Sequence, residues 1–172
     1  MGTRSLTIFT EKLDDASKEI CVLYRQMDGY PTGHGRDLKE CLSKAQLGNG
    51  IPGGLDLSDG SKFFNGMSDL AVQTITRLKK IELDREIESE KVLGHITGKP
   101  KSIEQMGDLR PGQFYLYKSG TRDCGEEYIY TVYSKDNVVC LQVNSCYRGE
   151  LYNGPVNDFD PDNAESEECE EC

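Results

Sequence analysis

Two short runs of β-branched and aromatic residues open the chain, Leu6-Thr7-Ile8-Phe9-Thr10 and Ile20-Cys21-Val22-Leu23-Tyr24. The polar stretch Leu13 to Lys18 between them is a turn-former, so the pair predicts an antiparallel hairpin. Asp28 to Gly35 then interrupts the pattern with three glycines and a proline, which a strand does not tolerate. Beyond it Leu38, Cys41, Leu42 and Ala45 fall at i, i+3, i+4 and i+7, one face of a helix over 36–45. The glycine content of 48–60 predicts a long surface loop, and a loop of that length in a compact domain is often functional. A second helix is expected from Ser68, whose hydroxyl can cap it, with Leu70, Ala71, Thr74, Ile75 and Leu78 forming its apolar stripe. From Ile81 the pattern turns charged and Glu82, Glu86 and Glu90 stack like charges at i, i+4. The helix is therefore expected to project or fray there, with 88–111 solvated.

The last third is rich in strands: 114–117, 128–133 and 138–143, joined by short turns as in a meander, with 147–152 as an edge strand. The order ββαα then βββ predicts an α+β fold, an antiparallel sheet of five to six strands with two helices packed on one face. One domain over 1–156 is expected, carrying a charged insertion at 81–111 and followed by a disordered acidic tail at 157–172.

Charge changes this picture unevenly. The 172 residues carry a net charge of −10, which argues against broad nucleic-acid binding and against an anionic membrane surface. Residues 157–172, however, hold eight acids and no Lys or Arg, which leaves −2 on residues 1–156. A nearly neutral domain leaves room for an arginine-lined pocket that takes one small anion. No apolar run reaches the length of a signal peptide or a membrane span, so a cytoplasmic protein is expected. Seven cysteines form an odd set, with reduced thiols as the expectation; Cys21 and Cys140 read as small core residues on strands. Cys169 and Cys172 make a C-x-x-C without a second pair at zinc-site spacing, so no metal and no cofactor are expected.

Two loops concentrate chemistry. The first, 24–36, carries Arg25, Gln26, Asp28, Tyr30, His34 and Arg36 around glycines just before a helix, where backbone N–H groups and the helix dipole favour an anion. It lacks the Lys-Ser/Thr ending of a P-loop and the third glycine of a dinucleotide fingerprint. The alternative is a tight strand-to-helix turn with Asp28 bonding its own backbone, Tyr30 packed and His34 exposed. The second, 119–127, holds Thr121, Arg122, Asp123, Cys124, Glu126 and Glu127 between two tyrosine-rich strands; it is either a polar hairpin tip or a source of acid/base groups. The tyrosines at 115, 117, 128, 130 and 133 alternate as strand residues do, several as core, with a stacking platform as the alternative.

Met1 to Thr7, Tyr24 to Gly35 (YRQMDGYPTGHG), Asn65-Gly66-Met67 leading into Leu70-Ala71, and Gly120 to Tyr130 (GTRDCGEEYIY) together resemble a family of small uncharacterised proteins of bacteriophage and bacterial genomes. The blocks spread over most of 1–153. The resemblance carries no activity with it, but its blocks coincide with both loops and add Arg4, which implies that the loops share one site. The leading expectation is a phage-type accessory protein, in the host cytoplasm, that binds a small anionic, nucleotide-like ligand for sequestration or sensing, for example against a host defence signal. Arg4, Arg25 and Arg36 would supply charge, Gln26, Asp28 and Thr121 hydrogen bonds, and Tyr30 stacking, with Asp123 beside them. A nucleotide or phosphoester hydrolase or transferase is the second expectation, with His34, Asp123 or Glu126 as acid/base. The third is an acidic inhibitor that binds a host protein through its tail.

Overall fold

One six-stranded sheet is covered on one face by helices and, over part of the other, by a single crossing segment. The computed structural model describes residues 2–50, 57–97 and 112–166. The strands are β1 (Ser5–Thr10), β2 (Glu19–Arg25), β5 (Phe114–Tyr117), β6 (Tyr128–Lys135), β7 (Val138–Ser145) and β8 (Gly149–Pro155), in the spatial order β5-β2-β1-β6-β7-β8. Strands β3 (Ala45–Gly48) and β4 (Lys62–Asn65) form a separate two-stranded parallel sheet. The helices are α1 (Arg36–Leu42), α2 (Gly66–Thr97) and α3 (Pro161–Ser166). The architecture is α+β, as expected.

Side-chain alternation separates the two faces. Phe9, Leu23, Tyr130, Val132, Leu141 and Val143 point to one side and bury against Leu38 and Leu42 of α1 and Leu70, Ala71 and Leu78 of α2. Each such side chain removed from water contributes about 1.5–3 kcal/mol. Leu6, Ile8, Val22 and Tyr24 point to the other side, where Cys124 packs over them.

The pairing differs from the expected meander. β5 does not adjoin β6; it lies on the far edge beside β2, Tyr24 opposite Tyr115. Residues 118–127 therefore cross from that edge over β2 and β1 to reach β6. β6 runs parallel to β1, with Thr7 beside Tyr130, so the sheet is mixed rather than antiparallel throughout. The expected hairpin of β1 and β2 is present, Ile8 opposite Val22, and β8 is the edge strand expected near 147–152.

Three further expectations are corrected. The first helix stops at Leu42, because Lys44 takes a left-handed φ of 58° and the Ser43 N–H closes the last turn on the Lys39 carbonyl, 2.8 Å. Of the two alternatives at 81, fraying is the one that fails: the second helix continues to Thr97 with residues 84–93 largely exposed. Cations interleave its glutamates, with Lys79 on Glu82 and Lys80 on Asp84 at 2.7 Å, while Arg85 ties it to buried Asp37. The rest of the 81–111 insertion, 98–111, lies outside the described residues. Finally, the tail is not disordered from 157: Val156–Asp158 form a 3-10 turn and α3 follows, burying Phe159, Pro161 and Ala164. Apolar anchors at every second or third position override the acidic composition.

Candidate functional site

The sheet's alternation splits the first loop. Arg25 shares its side with Leu23 and enters the helix-covered core, whereas Gln26 follows Tyr24 to the opposite side. Arg25, 4% exposed, donates from Nε to the Met27 carbonyl at 2.7 Å and from one terminal nitrogen to His34 Nδ1 (3.0 Å) and Asp37 Oδ2 (2.8 Å). A guanidinium has no acceptor, so His34 Nδ1 must accept and the imidazole proton sits on Nε2, donated to Thr7 Oγ1 at 2.6 Å. Full burial, and then the Arg25 charge, hold the imidazole pKa well below its ordinary value, so the ring is neutral. Asp37 accepts two more bonds from Arg85, 2.9 and 2.6 Å. His34 is thus neither exposed nor free: both nitrogens are engaged and the ring is sealed beside Tyr130 and Phe114.

The rest of this loop is also spent on the fold. Asp28 takes a left-handed φ of 57°, and its carbonyl accepts the His34 N–H at 2.9 Å while its side chain faces solvent. Tyr30, half-buried, lies against Gly33. A π-helical turn, Pro31–Gly35, leads into α1, and its Thr32 N–H donates to the Glu165 carboxylate at 3.0 Å. Arg36 pairs with Asp162 at 2.6 Å. The position at which an external anion was expected holds the chain's own acids.

The two loops do adjoin, through main chain. The Gly29 N–H donates to the Thr3 carbonyl and the Glu127 N–H to the Arg4 carbonyl, each 2.9 Å, so the loops flank the entry to β1. Their side chains diverge. Arg4 comes up to Gly125, and Gln26 accepts the Tyr24 hydroxyl at 2.8 Å, next to a cluster of Tyr24, Tyr115 and Tyr117 on the side away from the helices. Thr121 donates to the Lys118 carbonyl at 2.8 Å, and Asp123, exposed, has a φ of 60°. Glu126 accepts the N–H groups of Asp123 (3.2 Å) and Cys124 (2.6 Å) and so shapes its own loop. The sheet stands between His34 and these carboxylates. No acid/base pair forms from them.

Concavity lies elsewhere. The crossing segment leaves open the same face of β6, β7 and β8, where two adjoining clefts share Lys12 and Leu13 of the first hairpin tip as a common wall. The larger, about 630 Å³, has Leu13, Tyr133, Val138, Cys140 and Pro155 as its apolar lining, Lys12 and Lys135 as cations and Asp136 as its one carboxylate. Neither lysine makes an ion pair among the described residues. Tyr133 donates to Asn153 Oδ1 at 2.7 Å, and burial pushes its pKa up to about 12; burial likewise raises the Cys140 thiol, so both stay protonated at neutral pH. The smaller cleft, about 290 Å³, is polar: Thr10, Asp14, Thr131 and Gln142, closed by Glu19 and Arg122. Arg122 meets Glu19 at 2.7 Å. Burial opposes ionisation of Glu19, but hydrogen bonds from Arg122 and the Gly120 N–H outweigh it and keep its pKa below the ordinary value.

Lys12 and Lys135 were not singled out in the sequence, Leu13 entered only as the start of a turn, and Tyr133 only as one of the alternating strand tyrosines. The two hairpin tips that carry the lysines become neighbours only because β1 and β6 pair in parallel, and no local pattern announces that pairing. Among the described residues no three His, Cys, Asp or Glu side chains gather as a metal site would need, and no helix is long and apolar enough to cross a membrane. Comparison with family models, with curated proteins and with solved structures gives no match.

Proposed function

We propose that this protein binds a small anion with an apolar, nucleotide-like body in the larger cleft, acting by sequestration or sensing rather than by turnover. The observation that carries this reading is the pair of lysines, Lys12 and Lys135, that make no ion pair among the described residues and outnumber the single carboxylate, Asp136, on a 630 Å³ cleft with a largely apolar lining. That volume is in the range of small-ligand sites, and a few polar groups converging on an apolar floor is their usual chemistry. A lysine binds phosphate as a point charge, and two of them on one rim favour an anion over a neutral ligand. In this reading the binding serves an accessory role of the phage type that the sequence resemblance implies, for instance the capture of a host defence signal. An enzyme reading finds less support, because His34 and Glu126 are committed to the fold and Asp123 is exposed on the crossing segment with the sheet between it and His34.

The test is thermal unfolding with a panel of nucleoside mono-, di- and triphosphates at low ionic strength. A ligand at about 100 times its Kd stabilises by about 2.7 kcal/mol, a rise of several degrees for a chain of this size. At least one member is expected to give such a rise. It should shrink with added salt and vanish in the double variant Lys12→Ala/Lys135→Ala. A flat response across the panel, or a rise that the double variant keeps, overturns the proposal.

A further inference from the structure

The two clefts are not independent, and we infer that they are halves of one site whose occupant is a phosphodiester joining two units, of the dinucleotide class. This rests on the anion-binding reading above and deepens it. Lys12 and Leu13 belong to the walls of both clefts, so an anionic centre held by Lys12 stands at their junction, with room on either side. The halves differ in chemistry. The larger is floored by Leu13, Tyr133 and Val138 and suits a flat, apolar ring.

The smaller is suited to a unit that donates hydrogen bonds. Thr131 and Gln142 come up from the sheet, and the Gln142 amide nitrogen is engaged with Glu150 at 2.7 Å, leaving its carbonyl to accept. The Asp14 and Asp15 carboxylates on the wall accept from hydroxyl or amino groups and repel phosphate, which confines the anion to the larger-cleft side of Lys12. Arg122, the one guanidinium there, is already neutralised by Glu19. A second anion is therefore disfavoured in this half, while a sugar diol or an exocyclic amine fits its acceptors. At about 290 Å³ it holds one such unit and no more. A single negative linkage at Lys12, with an apolar ring on one side and a hydroxyl-bearing unit on the other, describes a dinucleoside monophosphate rather than a nucleoside triphosphate.

Isothermal titration of the full chain separates the cases, using adenylyl-adenosine and the methyl ester of AMP, with the uridine counterparts as a second pair. Within each pair the compounds carry the same single charge, so only the second unit differs. For at least one pair the dinucleotide is expected to bind at least tenfold tighter than its methyl ester, and Gln142→Ala to bring the two affinities together. If the methyl esters bind and the dinucleotides bind no tighter, the two-unit inference falls and the single-anion reading stands. If the dinucleotide advantage survives Gln142→Ala and Thr131→Val alike, the smaller cleft is not the second subsite and the inference falls. If no compound binds, the two-unit inference falls, and the single-anion reading falls with it only where the nucleoside phosphate panel is flat as well.

Discussion

At the scale of single residues, the buried set of Thr7, His34, Arg25 and Asp37, tied to the exposed Arg85, does structural work with groups that read as chemistry. Their identity as an interacting set was half legible. Arg25 and His34 stood out as polar residues beside a helix start, and the parity that puts Arg25 with Leu23 was available from the strand pattern alone. Thr7 was not, because its meeting with His34 depends on how the loop folds back over β1. A neutral His34 that accepts from Arg25 makes stability depend on pH, since protonation would set an N–H against a guanidinium. The folded-state pKa is depressed below the unfolded value of about 6.5, so between the two the unfolded chain binds the extra proton. Stability is then fully present above about pH 7 and falls as pH drops below 6.5, by up to about 1.4 kcal/mol per pH unit. Urea unfolding between pH 7.5 and 5 should show this slope in the native chain and a shallower one in His34→Gln. Parallel slopes for the two would mean that His34 is not the group responsible.

At the scale of elements, local pattern identified the first hairpin, α1 and the three late strands, and failed where partners are distant in sequence. Tyr115 and Tyr117 alternate as the residues of β6 do, and the intervening turn-formers suit a hairpin. Ten residues are nonetheless enough for 118–127 to cross two strands and pack the half-buried Cys124 against the cluster of Leu6, Ile8, Val22 and Tyr24. The parallel contact of β1 with β6 has no local signature at all, which is why the clefts went unread. The glycines of the first loop, by contrast, were correctly seen as backbone devices, although the atoms they approach belong to the chain itself. A Cβ on Gly29 would lie 2.7 Å from the Arg4 carbonyl carbon, and one on Gly33 2.5 Å from the Asp28 oxygen, both backbone atoms with little room to give. Gly29→Ala and Gly33→Ala are therefore each expected to cost about 1–3 kcal/mol through overpacking. In thermal unfolding that appears as a midpoint lower by several degrees. A midpoint unchanged in either variant would show that the loop has slack the packing does not suggest.

At the scale of the whole molecule, the acidic end changes meaning. Its composition, eight acids in 157–172, predicts a self-repelling tail, yet the first ten of those residues close the helix side of the domain. Phe159 is fully buried against Tyr152 and the core, Lys39 holds the Phe159 carbonyl, Asp162 meets Arg36, and Glu165 caps the Thr32 N–H. Asp162 and Glu165 are thereby engaged within the domain, while residues 167–172 lie outside the described residues. Pattern outweighs composition here because one buried phenylalanine contributes more than several exposed like charges cost. Phe159→Ala should therefore destabilise by about 3–5 kcal/mol, the usual range for emptying a buried aromatic site. Deleting 157–172 should do at least as much, because it also orphans the Thr32 N–H and uncovers Leu42 and Tyr152. Since the clefts lie across the sheet from this segment, the effect belongs to unfolding and not to the ligand site. In the Phe159→Ala chain, kept well below its lowered midpoint, ligand affinity should match that of the native chain. A truncated chain that melts with the full-length one would return 157–166 to the role of a solvated tail.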